Sequence, residues 1–130
     1  MSMDVQIEIK ESYLSATSIG TFSLAEAKRI YVLVLGACLE HKKSRILFDV
    51  RQVEAKEPIS TMARFEFAQF MAAKHKEFAS RGLSGLKLAY VGTDDHIDAN
   101  RFGENVGKNR GLNMRATTDI EAALQWLEVG

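Results

Sequence analysis

Asp94-Asp95-His96-Ile97-Asp98 is the densest group of metal-ligating side chains in the chain. Carboxylates beside an imidazole are what a divalent cation uses, and what a metal-activated water needs around it. The set does not close, because His41 and His75, the other imidazoles, fall on different predicted helices. Acids at a helix start also complement the dipole and cap free N–H groups, and that reading is the stronger one. No metal is therefore expected. A metal-dependent enzyme built on Asp94, Asp95 and His96 stands as the competing class. Gly103-Glu104-Asn105-Val106-Gly107-Lys108-Asn109 has the residues of a phosphate loop at the wrong spacing, with Asn109 where Ser or Thr belongs. No glycine fingerprint for a dinucleotide occurs either, so no cofactor is expected. Cys38 falls on the apolar stripe of its helix, where a thiol is inert. His75 lies between Lys74 and Lys76, a trio that reads as a solvated helix end. No catalytic residue emerges.

The elements that must position these groups follow from composition and periodicity. At 130 residues, 46% apolar and 26% charged, the chain reads as a single domain over 1–130. Lys+Arg 17 against Asp+Glu 17 leaves no basic field to draw it to nucleic acid or anionic lipid. The lone Cys38 suits a reducing compartment. The first residues lack the pattern of a secretory signal. The longest apolar run, Ile30 to Leu39, falls short of a membrane span. The expected location is cytoplasmic.

Val5-Gln6-Ile7-Glu8-Ile9 alternates at period two and, with Ser12 to Ile19, predicts a hairpin. Ser23-Leu24-Ala25-Glu26 matches a capping box opening a helix to about His41, with Ala27, Ile30, Tyr31, Val34 and Cys38 as its stripe. Ile46 to Val50 and Leu86 to Val91 read as buried parallel strands. A second helix from Thr61 to about Phe78 lies between them. Thr93 or Asp94 caps a third helix to about Arg110, Leu112 to Ala116 makes a last strand, and Thr118-Asp119-Ile120-Glu121 opens a closing helix. The expected class is α/β: a mixed, mostly parallel sheet of four to five strands with an N-terminal hairpin and about four helices.

The first two helices carry more apolar surface than one face can absorb. Val32 and Leu33 lie off the first stripe. On the second helix Met62 and Phe65 lie off the Ala63-Phe67-Phe70-Met71-Phe78 face, with Ala68 and Ala72 beside Phe65. Such a surface suits a homodimer contact or an apolar ligand pocket.

Two segments resemble one family. Ile46-Leu47-Phe48-Asp49-Val50-Arg51 is similar to the "LvDlR" strand of SpoIIAA-like, STAS-related proteins. Thr117-Thr118-Asp119-Ile120-Glu121-Ala122-Ala123-Leu124-Gln125-Trp126-Leu127 resembles the family's closing "F-x-D-x-E-x-A-x-x-W-L" helix, with Thr117 in place of the aromatic. The resemblance implies a non-enzymatic STAS-like binding or regulatory module engaging a protein partner or an apolar small ligand. STAS relatives among anti-sigma-factor antagonists are switched by phosphorylation of a Ser opening the helix after the Asp-ended strand. The matching positions are Ser60 and Thr61, although the chain reads Ile59-Ser60-Thr61-Met62-Ala63 where the family has Asp-Ser-Ser-Gly. SpoIIAA-like domains also resemble the CRAL-TRIO lipid-binding fold, which implies a hydrophobic-ligand carrier as the alternative.

Overall fold

Alternating segments with one wet face bury the other only by joining a sheet. In the computed structural model, which describes residues 3–56, 59–93, 108 and 111–129, β1 (Met3–Ile9) and β2 (Leu14–Thr21) form an antiparallel hairpin. Next come α1 (Leu24–His41), β3 (Arg45–Glu54), α2 (Thr61–Ser80), β4 (Lys87–Val91), β5 (Met114–Thr117) and α3 (Ile120–Leu127). From β2 onward neighbouring strands are parallel, and the sheet order is β1-β2-β3-β4-β5. The expected α/β class with its mixed, mostly parallel sheet is what is observed. The expected helix from Thr93 or Asp94 falls almost wholly outside the described residues, so three helices are described where about four were expected. Among the described residues no helix is long and apolar enough to cross a membrane.

The register explains the layering. Ile9, Leu14, Ile46, Leu88 and Met114 form one row across the sheet, and Ile7, Ala16, Phe48, Tyr90 and Ala116 the next on the same face. That face packs with α1 and α2 into the main core. Leu47, Ala89 and Val91 point the other way, against Ala123 and Leu127 of α3.

Each helix end shows a local cause. The Ser23 hydroxyl accepts from the Glu26 N–H at 3.4 Å, while the Glu26 carboxylate pairs with Arg29 at 2.9 Å instead of returning to the cap. Half of the expected capping box therefore forms. The cap of α3 is Asp119 rather than Thr118: its carboxylate accepts from the Glu121 N–H at 2.9 Å, and Thr117 Oγ1 accepts from the Asp119 N–H. Lys87 Nζ donates to the Trp126 carbonyl at 2.8 Å and lies 4.5 Å from that ring's centre, fastening α3 across β4.

On α2 the expected face is rotated. Ala68, Met71, Ala72 and Phe78 are buried, whereas Phe67 and Phe70 are half-buried. Ala68 and Ala72, expected beside a second surface, thus belong to the core. The small residues let the helix lie close to its neighbours, and the two phenylalanines fill the seam with α1. Phe67 meets Tyr31 edge-on at 6.3 Å, and Lys28 sits 5.3 Å over Phe70.

Leu127 is fully buried in the small layer under α3. Leu127→Ala is expected to cost about 3 kcal/mol, as large-to-small changes in a tight core do. Urea denaturation of wild type and variant checks it.

Candidate functional site

The C-terminal ends of parallel strands and the N-termini of the helices that follow are where α/β sheets bind other molecules. β3 leads into that end through an irregularity. Thr17 pairs with Asp49 and Ile19 with Gln52, so Val50 and Arg51 together oppose Ser18. A bulge of this kind displaces a backbone N–H from its ladder. Asp49 answers it: its Oδ1 accepts the Arg51 N–H at 3.0 Å, and the same carboxylate takes Arg51 Nε at 3.0 Å and Nη2 at 2.8 Å. The carboxylate is buried while the Arg51 side chain reaches solvent, and the pairing raises the Arg51 guanidinium above its ordinary pKa. The bulge also resets the alternation, so Val50 and Val53, three apart, both enter the main core.

Beneath the starts of α1 and α2 lies a cavity of about 30 Å³, walled by Phe22, Ile30, Phe48, Val53, Phe67 and Tyr90 among others. Phe48 stacks on Tyr90 at 5.9 Å and meets Tyr31 at 6.4 Å. The wall carries one buried hydroxyl without a hydrogen-bond partner, Ser18 Oγ. Space of this size holds one or two water molecules; an engineered cavity that takes benzene has about 150 Å³.

Ser60 caps α2, its hydroxyl accepting from the Ala63 N–H at 3.0 Å. Ile59 turns into the cavity wall, while Ser60, Thr61 and Met62 face solvent, Met62 at 72% exposure. The first turn has no acid, unlike those of α1 and α3, and carries Arg64. The structure therefore gathers Ser60, Thr61 and Met62 at one helix start. Phe65 is half-buried one turn on, Val32 packs half-buried against the main core, and Leu33 is 48% exposed on α1.

Asp94, Asp95 and His96 lie outside the described residues, as does most of the Gly103 to Asn109 segment. Among the described residues no group of three or more His, Cys, Asp or Glu could hold a metal ion. The Cys38 thiol is buried and pushed up to about 12 by that burial, which removes it as a nucleophile at neutral pH. His75 is not part of a fully solvated end: it is half-buried, its Nδ1 lacks a hydrogen-bond partner, and burial together with Lys76 lowers its pKa. Sequence reasoning missed Ser18 and the Asp49–Arg51 clamp. The clamp was readable, since acid and base two apart on a strand share a face. Ser18 was readable too, since it continues the Leu14-Ala16 alternation along one face of β2.

No protein-family model matches the chain, and no curated protein matches it in sequence. Solved structures match it in shape. An anti-sigma factor antagonist from Mycobacterium paratuberculosis superposes with a TM-score of 0.59 at 13% identity, over 98% of this chain and 95% of that one. An uncharacterised protein from Shewanella loihica, of the DUF3478 family with a SpoIIAA-like fold, gives 0.52 at 14% identity, over 97% and 93%. The chain has the SpoIIAA-like, or STAS, fold.

Asp49→Ala strands the Arg51 N–H and is expected to cost about 2 kcal/mol, Asp49→Asn about half as much because one acceptor stays. Urea midpoints of both variants check this. For His75 the sign follows from its depressed pKa. The unfolded imidazole takes a proton near 6.5 and the folded one resists it, so stability present above that pH is lost as the pH falls below it. His75→Gln should flatten the difference between midpoints at about pH 7.5 and 5.5, either side of the free imidazole pKa.

Proposed function

We propose that this chain is a non-catalytic STAS-like binding module that engages a protein partner through the exposed start of α2. The observation that carries the reading is Met62, a large apolar side chain 72% exposed beside two exposed hydroxyls on a rigidly capped helix. Unbranched Met on a surface suits contact with a protein. The shape shared with an anti-sigma factor antagonist supports a regulatory partner of that kind. The cavity beneath α1 and α2 is itself too small for a ligand of drug size, whose pockets run to ~300 Å³ or more.

The same surface suits a phosphate switch at Ser60 or Thr61. A phosphoryl group brings about −1.5 to −2 charges to a helix start. Here that start has no acid of its own and has Arg64 in its first turn. The charge favours the helix while turning the Met62 surface from apolar to anionic, so the fold is kept and the partner changes. A cytoplasmic setting belongs to the same proposal, supported by the single buried thiol.

Replacing Met62 by a photo-crosslinking phenylalanine derivative should trap one protein species. Met62→Asp, Ser60→Asp and Thr61→Asp should each weaken that capture at least tenfold, as removal of a central apolar contact does. Their thermal stability should stay near wild type. Native mass spectrometry of the purified chain should show no bound small molecule. A stoichiometric lipid with no trapped partner would transfer the assignment to the carrier, and a stoichiometric metal to the enzyme reading through Asp94, Asp95 and His96.

A further inference from the structure

β1 is seven residues long, and among the described residues no strand lies beyond it in the sheet. Edges of this length are ordinarily blunted by proline, by a bulge or by a charge on the covered face. β1 has none of these: Val5, Ile7 and Ile9 line its covered face, and its pairing with β2 is regular. The opposite edge, β5, spans only four residues and exposes Arg115.

The hydrogen-bond phase of the hairpin decides which groups of β1 are on offer. Lys10 N–H donates to the Tyr13 carbonyl at 2.9 Å, which makes that pair a bonded one and, alternating along the register, Glu8–Ser15, Gln6–Thr17 and Asp4–Ile19 as well. Val5, Ile7 and Ile9 therefore direct their N–H and C=O away from β2. Arg29 Nη2 donates to the Met3 carbonyl at 3.2 Å and closes the same row at its upper end.

We propose that β1 pairs antiparallel with β1 of a second copy of this chain across a two-fold axis at Ile7, joining two sheets into one. Ile7 then faces the partner's Ile7, and Val5 faces the partner's Ile9, with both backbone groups of each residue bonded. On the opposite face of the sheet Asp4 comes opposite the partner's Lys10, and Gln6 opposite the partner's Glu8. Unlike charges thus meet, and no acid faces an acid. Moving the axis to Gln6 sets Asp4 against the partner's Glu8, a like-charge pair that cross-strand packing disfavours.

The apolar side is complementary in the same register. α1 and β1 both run opposite to β2, and the Arg29 side chain reaches the Met3 carbonyl. One helical turn advances about 5.4 Å and two strand residues about 6.6 Å, so Leu33, one turn beyond Arg29 on the same side of α1, lies further along β1 in the direction of Val5. The partner's Ile9 arrives beside Val5. Leu33 is 48% exposed and Ile9 41%, and these two account, with Met62, for the large exposed apolar side chains among the described residues. Each covers the other's copy across the axis. Val5 and Ile7 are the half-buried floor beneath them. The contact revises the expected dimer surface: it uses Leu33 but not Val32, Met62 or Phe65, and it leaves the start of α2 open to another partner.

Sedimentation equilibrium on the intact chain tests the proposal with surface substitutions that spare the core. Wild type should be a dimer. Asp4→Lys and Lys10→Asp should each weaken it about tenfold, since the pair occurs twice per dimer. The double variant Asp4→Lys with Lys10→Asp should return to within about twofold of wild type, because the exchange restores unlike charges. Leu33→Asp should give a monomer with an unchanged circular dichroism spectrum. A wild-type monomer at about 100 μM, where any specific dimer of micromolar affinity would be formed, overturns the proposal. So does a dimer that Leu33→Asp leaves intact, or one that the double variant fails to restore.

Discussion

Every polar group on a strand covered from both sides must be answered inside the protein. β3 carries one that is costly to hide, the carboxylate of Asp49. The answer comes from the strand itself. The bulge opposite Ser18 frees the Arg51 N–H, and the carboxylate takes that N–H together with the guanidinium two residues on. Neither feature is stable alone, because a bulge leaves an unanswered donor and a buried acid leaves an unanswered charge. Together they fix one irregularity in the central strand, after which pairing with β2 resumes from Gln52 to Glu54.

The same bulge sets what lies on the helix side. Because Val50 and Val53 both turn inward, the wall under α1 and α2 is apolar up to its rim. Ser18 is caught within it, its hydroxyl at zero exposure. An orphan hydroxyl of this kind costs on the order of 1–3 kcal/mol. The rows around it, Leu14-Ile46-Leu88-Met114 and Ala16-Phe48-Tyr90-Ala116, are filled well enough to bear that cost.

Local rules made most of the fold legible. Alternation in β1, hydroxyl caps at Ser23 and Ser60, and continuous apolar runs in β3 and β4 all act over a few residues and were readable one at a time. What was not readable depended on neighbours. A 100° period ranks the faces of α2 by apolar bulk and so chooses the phenylalanines. The fold chooses Ala68 and Ala72, because close approach rewards small side chains, and it lets Lys28 and Lys74 cover Phe70. The cap at Asp119 in place of Thr118 is a choice between adjacent competent residues that only the path from β5 decides. At the candidate site, Ser60 and Thr61 came from a resemblance and Met62 from helical periodicity, while Ser18 lies where alternation from Leu14 and Ala16 puts it.

The helices are distributed unequally over the sheet, and that inequality separates the two exposed surfaces. Among the described residues α3 covers the part of its face formed by β3, β4 and β5, and the outward face of β1 is wet and carries Asp4, Gln6 and Glu8. α1 covers the other face of β1 and pins its start through Arg29. β1 is thereby held in register, with its outer backbone groups in one row. The start of α2 stands at the C-terminal end of the sheet and is fixed by Ser60 and by Ile59 in the cavity wall. One surface offers backbone groups and is selective through register; the other offers side chains and is selective through charge. A phosphoryl group at Ser60 would alter the second without touching the first. On the two proposals, assembly and partner contact would be separable, because they use different parts of the surface.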